Sequence, residues 1–127
     1  MFRYALPFLF AMSSPLAAQD FVADQYFAYI GGADLSNSSG AGLGDAASVL
    51  RQDRANVHRF GIAQSDDEYD ELYTDADTRA LMPGLINAGN GLSSSEARAI
   101  MGGGVLVSVT TYSNGSRLTS INVDVAN

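Results

Sequence analysis

Val105, Val107 and Val109 alternate with Leu106, Ser108 and Thr110, and Thr119, Ile121, Val123 and Val125 alternate again beyond an Asn114-Gly115 pair. A period of two puts successive side chains on opposite faces of a strand, and Asn-Gly readily adopts the left-handed backbone that joins two antiparallel strands. The segment is therefore predicted to be a β-hairpin. A two-residue turn would set Val109 against Ser120 and Val107 against Asn122, mixing apolar with polar residues on one face. A three-residue loop, Ser113 to Gly115 with Gly115 left-handed, instead pairs Val109 with Thr119, Val107 with Ile121 and Val105 with Val123, and this is the register expected.

A lone hairpin is marginal in water, so it needs a third strand and a cover. Gln25 to Ile30, β-prone on both faces and ended by Gly31-Gly32, supplies the strand. Leu43, Ala46, Ala47, Leu50 and Val57 make one apolar stripe on a helical wheel, and with Asp45 favouring the start this spacing carries a helix to about His58 before Phe60-Gly61 ends it. This helix is expected to lie on the valine face of the sheet. Thr74 or Asp75 can cap a second helix through Met82, which Pro83-Gly84 breaks or kinks. Ser93 and Glu96 form a capping box for a third, stopping at Gly102 to Gly104. The fold class that follows is α+β, a small antiparallel sheet of the N-terminal strand plus the C-terminal hairpin, packed against two or three helices.

Residues 1–18 stand apart from this pattern. Met1 to Arg3 give a weakly positive start, Tyr4 to Met12 an apolar run too short to span a bilayer, and Leu16-Ala17-Ala18 a small-residue site. The segment is read as a signal peptide cleaved after Ala18, with residues 19–127 as a single globular α+β domain in the periplasm or outside the cell. No membrane anchor is expected after cleavage. With no cysteine, stability must rest on packing and hydrogen bonds alone. A net charge of −7 argues against nucleic acid and anionic membrane surfaces as partners.

Against this acidic background, three of the seven basic residues and the only histidine fall between Arg51 and Gly61. On the helical wheel Arg54 lies inside the apolar stripe, Arg51 and His58 border it, and Arg59 faces the opposite side. A buried arginine is ordinarily paired with a carboxylate or carbonyls. The functional alternative is that Arg51, Arg54, His58 and Arg59 bind an anionic ligand or partner group through bidentate hydrogen bonds. His58 is also the only histidine available as a general base, and a hydrolase would pair it with an acid from the Asp66 to Asp77 segment. No Gly-x-Ser-x-Gly elbow accompanies it.

The acidic segment itself, with seven carboxylates from Asp66 to Asp77 and no base until Arg79, invites a calcium reading. Asp75 and Asp77 begin like a calcium loop, yet Arg79 stands where a third ligand is needed and no glycine follows. A solvated loop, or a surface facing a basic partner, fits better. A single histidine and no cysteine exclude Cys-type and His-rich zinc sites within one chain. Gly40, Gly42 and Gly44 precede a helix as in a phosphate loop but lack its lysine. No cofactor is expected.

The combination of Ala-Tyr-Ile at 28–30, the Asn37 to Gly40 loop and the Arg51 to Gly61 block resembles a group of small, uncharacterised exported proteins of Gram-negative bacteria. That resemblance implies export and a shared domain, with no activity and no catalytic residue. The function expected is that of an exported binding or interaction domain without catalytic activity, its partner an unknown protein or a small anionic ligand. A small periplasmic hydrolase using His58 is the alternative.

Overall fold

The computed structural model describes residues 19–63 and 66–126; the segment read as a signal peptide lies outside them. Three strands, β1 (Phe21–Ile30), β2 (Val105–Ser113) and β3 (Leu118–Ala126), form one antiparallel sheet in the order β1-β2-β3. Between β1 and β2 the described residues make four α-helices, α1 (Ala46–His58), α2 (Ala76–Ala80), α3 (Met82–Ala88) and α4 (Ser94–Gly102), and 3-10 turns at Gly32–Leu35 and Leu72–Thr74. The class is α+β, as the patterning predicts. Alternation puts Tyr26, Ala28 and Ile30 of β1, Val107 and Val109 of β2, and Ile121 and Val123 of β3 on the inner face of the sheet. They join Val49 and Leu50 of α1, Met82 and Ile86 of α3 and Ile100 of α4 in one core. Burying each valine, leucine, isoleucine or methionine among them contributes about 1.5–3 kcal/mol.

The local signals behave as expected at the helix ends. The Asp45 carboxylate accepts the Ser48 N–H at 2.8 Å and caps α1. Ser93 and Glu96 close their capping box on α4. Asp75 caps α2, but the helix pattern does not stop at Pro83: the chain turns at Leu81 and restarts as α3 with the proline in its first turn, where a missing N–H is harmless. That restart adds a helix beyond the two or three expected. It packs α3 against β3 so tightly that a Cβ on Gly89 would run into the Ile121 carbonyl.

Two expectations about the sheet need correction. β1 is longer than Gln25 to Ile30, because a bulge between Val22 and Asp24 lets Phe21 and Val22 continue the pairing with Ser113 and Tyr112. The hairpin loop is longer than three residues. Val107 stands opposite Val125 and Val109 opposite Val123, with Thr111 opposite Ile121. Gly115 is left-handed as expected, with φ 97°, but the Asn114 side chain accepts the N–H groups of Ser116 and Arg117, each at 3.0 Å, and so holds the turn through Arg117.

Both free edges of the sheet are closed by side chains from loops. At β1, the Phe27 N–H donates to Glu68 Oε1 and the Tyr29 N–H to Asp67 Oδ1, both at 2.8 Å. At β3, Asn90 Oδ1 accepts the Val123 N–H at 3.3 Å, and the Asn122 amide oxygen accepts the Asn90 N–H at 2.8 Å. An edge strand left bare offers its peptide groups to any other chain, and these contacts occupy part of each edge. Among the described residues no helix is long and apolar enough to cross a membrane.

Candidate functional site

Helix α1 sorts the four basic residues of the Arg51 to Gly61 block by its 3.6-residue repeat. Arg54 turns inward with Val49, Leu50 and Asp53 and is 0% exposed. Arg51 and Arg59 turn outward and are exposed. The His58 side chain follows Arg54, with 2% exposure. The block is therefore two structures, a buried ion cluster on one side of the helix and a pair of exposed cations on the other.

In the buried cluster the Arg54 Nε donates to Asp53 Oδ2 at 2.8 Å, and one terminal nitrogen donates to Asp70 Oδ1 at 2.7 Å and to the Glu68 carbonyl at 2.9 Å. The guanidinium carbon lies 3.9 Å from the centroid of the Tyr26 ring. Two carboxylates thus share one guanidinium, and their surroundings separate them. Burial raises Asp70, but hydrogen bonds from Arg54, the Tyr73 N–H and His58 outweigh it and hold the carboxyl below its ordinary value. Burial pushes Asp53 up to about 7 against the attraction of Arg54, and among the described residues its Oδ1 has no hydrogen-bond partner. One carboxylate balances the guanidinium as an ion, and the other favours its neutral form.

The His58 Nε2 donates to Asp70 Oδ1 at 2.8 Å, so the acid that a His58-based hydrolase would recruit from the acidic segment is Asp70. That same oxygen is already held by Arg54. The ring meets Tyr69 edge-on at 5.0 Å between centroids. Among the described residues no hydroxyl is hydrogen-bonded to the imidazole, and its contact with Asp70 orients the ring against the Tyr69 to Tyr73 segment.

The exposed side is different. Arg51 and Arg59, with Gln52 and Ala55 between them, line a cleft of about 280 Å³ whose other walls include Ser38 and, from α2, Arg79. Arg79 is only 6% exposed; one of its terminal nitrogens donates to the carbonyls of Tyr73 and Thr74, each at 3.0 Å. Among the described residues the close carboxylate contacts of basic side chains are those of Arg54 with Asp53 and Asp70 and of His58 with Asp70, so none of the three cleft arginines has a carboxylate partner there. Arg79 escapes a wheel drawn on α1 alone; its only signal in the sequence is that it is the first base after seven acids.

The acidic segment is used inside the fold more than a solvated loop would be. Asp67 and Glu68 close the β1 edge, Asp70 meets Arg54, and Asp75 accepts the N–H and hydroxyl of Thr78 at 3.1 Å. Asp77 is exposed in the first turn of α2. Among the described residues no group of three or more histidine, cysteine or acidic side chains is placed to hold a metal ion, and the Asp75 and Asp77 pair acquires no third ligand. Asn56, absent from the sequence reading, lies buried on α1 and donates to Asp34 Oδ1 at 2.8 Å and to the Ala33 carbonyl at 3.1 Å, tying the helix to the turn after β1.

Compared with protein-family models, curated proteins and solved structures, the chain matches none of them.

Proposed function

We propose that this chain is an exported binding domain without chemistry of its own, which takes an anionic group of a protein or small ligand into the cleft along α1. The observation that carries this reading is Arg79, a nearly buried arginine that lines the cleft with no carboxylate partner among the described residues. Buried charge is ordinarily compensated, and two backbone carbonyls supply only partial negative charge. Arg51 and Arg59 add two exposed cations to the same cleft. On a chain of net charge −7, a local positive cleft selects anions that the rest of the surface repels.

The test is calorimetric titration of the chain starting at Gln19 with phosphate, citrate and poly-glutamate at low ionic strength. Saturable binding of at least one anion, lost in the Arg51→Ala/Arg59→Ala double variant, is expected; no binding of any of the three overturns the reading. Export is checked separately. The chain recovered from periplasm or medium should begin at Gln19, and an intact Met1 on a cytoplasmic product would remove the exported part of the proposal.

A further inference from the structure

We infer that the cleft binds an extended acidic peptide whose two carboxylates stand four residues apart, one meeting Arg51 and the other Arg59. The inference rests on the anion-binding reading above and narrows its ligand to one kind of partner. Ser48, Gln52, Ala55 and Arg59 recur at spacings of three and four on α1, so the cleft runs along the helix. At about 1.5 Å rise per residue, Arg51 and Arg59 are separated by about 12 Å along its axis. Arg51 and Arg59 therefore offer two anchor points set apart along one side of the cleft. In an extended peptide the rise is about 3.3 Å per residue, so residues four apart lie on the same side and about 13 Å apart. In a helical peptide the same two residues would be separated by only about 6 Å.

The floor suits a backbone between those two anchors. Gln52 commits its amide nitrogen to Asn56 Oδ1 at 2.9 Å, leaving its oxygen as an acceptor, and the Ser48 hydroxyl donates to Asp45 Oδ2 at 3.1 Å, leaving its lone pairs. Both can accept peptide N–H groups. Arg79, held by the Tyr73 and Thr74 carbonyls, adds a third arginine to the lining, and the Arg59 guanidinium lies over the exposed Phe60 ring, 5.0 Å from its centroid. Guanidinium forks match carboxylates in the bidentate geometry that a point charge lacks.

The experiment compares two end-capped, fluorescently labelled pentapeptides of equal charge, Glu-Thr-Val-Thr-Glu and Glu-Glu-Thr-Val-Thr, by anisotropy on the chain starting at Gln19 at low ionic strength. The β-branched centre keeps both extended. The spaced peptide should bind at least about tenfold tighter, and Arg51→Ala or Arg59→Ala should each erase that advantage while leaving thermal unfolding unchanged. Arg51→Gln and Arg59→Gln provide the same test should either alanine variant fold poorly. Equal affinity for the two peptides overturns this inference while poly-glutamate binding keeps the broader reading; absence of binding by every anion overturns both.

Discussion

Glu68 and Phe27 exchange two hydrogen bonds across the open edge of β1: the Glu68 N–H donates to the Phe27 carbonyl at 2.9 Å, and the Phe27 N–H donates to Glu68 Oε1 at 2.8 Å. The side chain thereby does part of what a neighbouring strand would do. Removing it in Glu68→Ala leaves the Phe27 N–H to water and should cost about 0.5–1.5 kcal/mol in denaturant unfolding. Hydrogen exchange at the Phe27 amide should quicken selectively. An amide protected as well as in the parent chain would show that the carboxylate is not what shields the edge.

Arg54, inside α1, and Arg59, which caps its C-terminal end, stand five residues apart and should respond differently to the same change. Arg54→Ala strands the buried Asp53 and Asp70 without their shared cation and should cost roughly 3–5 kcal/mol. Arg59→Ala, on the exposed side, should stay within about 0.5 kcal/mol of the parent. Equal unfolding midpoints for the two variants would place the stabilising charge elsewhere.

Stability should fall as the pH rises from about 4 to about 7. Asp53 has a folded value pushed up to about 7, above the ordinary carboxylate value near 3.9, so the folded state holds its proton more firmly and loses that advantage as the group ionises. Asp24 and Asp34, also raised by burial, act in the same direction. Asp70 is lowered and acts oppositely, its contribution present above pH 4 and lost in stronger acid. The slope of unfolding free energy between pH 5 and 7 should therefore be negative and should flatten in Asp53→Asn; a flat parent profile would show that Asp53 titrates as an ordinary carboxyl.

The helix ends were legible because their determinants are local. Asp45 caps a helix three residues before the N–H it accepts, and Ser93 and Glu96 bond each other within one turn. The hairpin was legible in kind and not in register. Its alternation requires only that apolar residues share a face, and sliding the partner strand by an even number of residues preserves that condition. The observed pairing of Val109 with Val123 differs from the expected Val109 with Thr119 by four positions, so hydrophobic pattern could not distinguish them. The difference lies in Asn114, whose side chain bonds forward to Arg117 and lengthens the loop. Arg54 was recognisable as a charge aimed inward, but Asp70, sixteen residues on, was one of seven acids with equal claim. The cleft was only half visible, since Arg79 reaches it from another helix.

The strand that begins the described chain has its only sheet neighbour at the other end: β1 pairs with β2, and β2 with β3, while the intervening residues fold as helices. A chain cut anywhere before Val105 has nothing for Phe21–Ile30 to pair with. Folding is thus governed by closure of a long loop, which is slow compared with local helix formation. The sheet, and the core laid on it, can assemble only when the hairpin of β2 and β3 is present to meet β1.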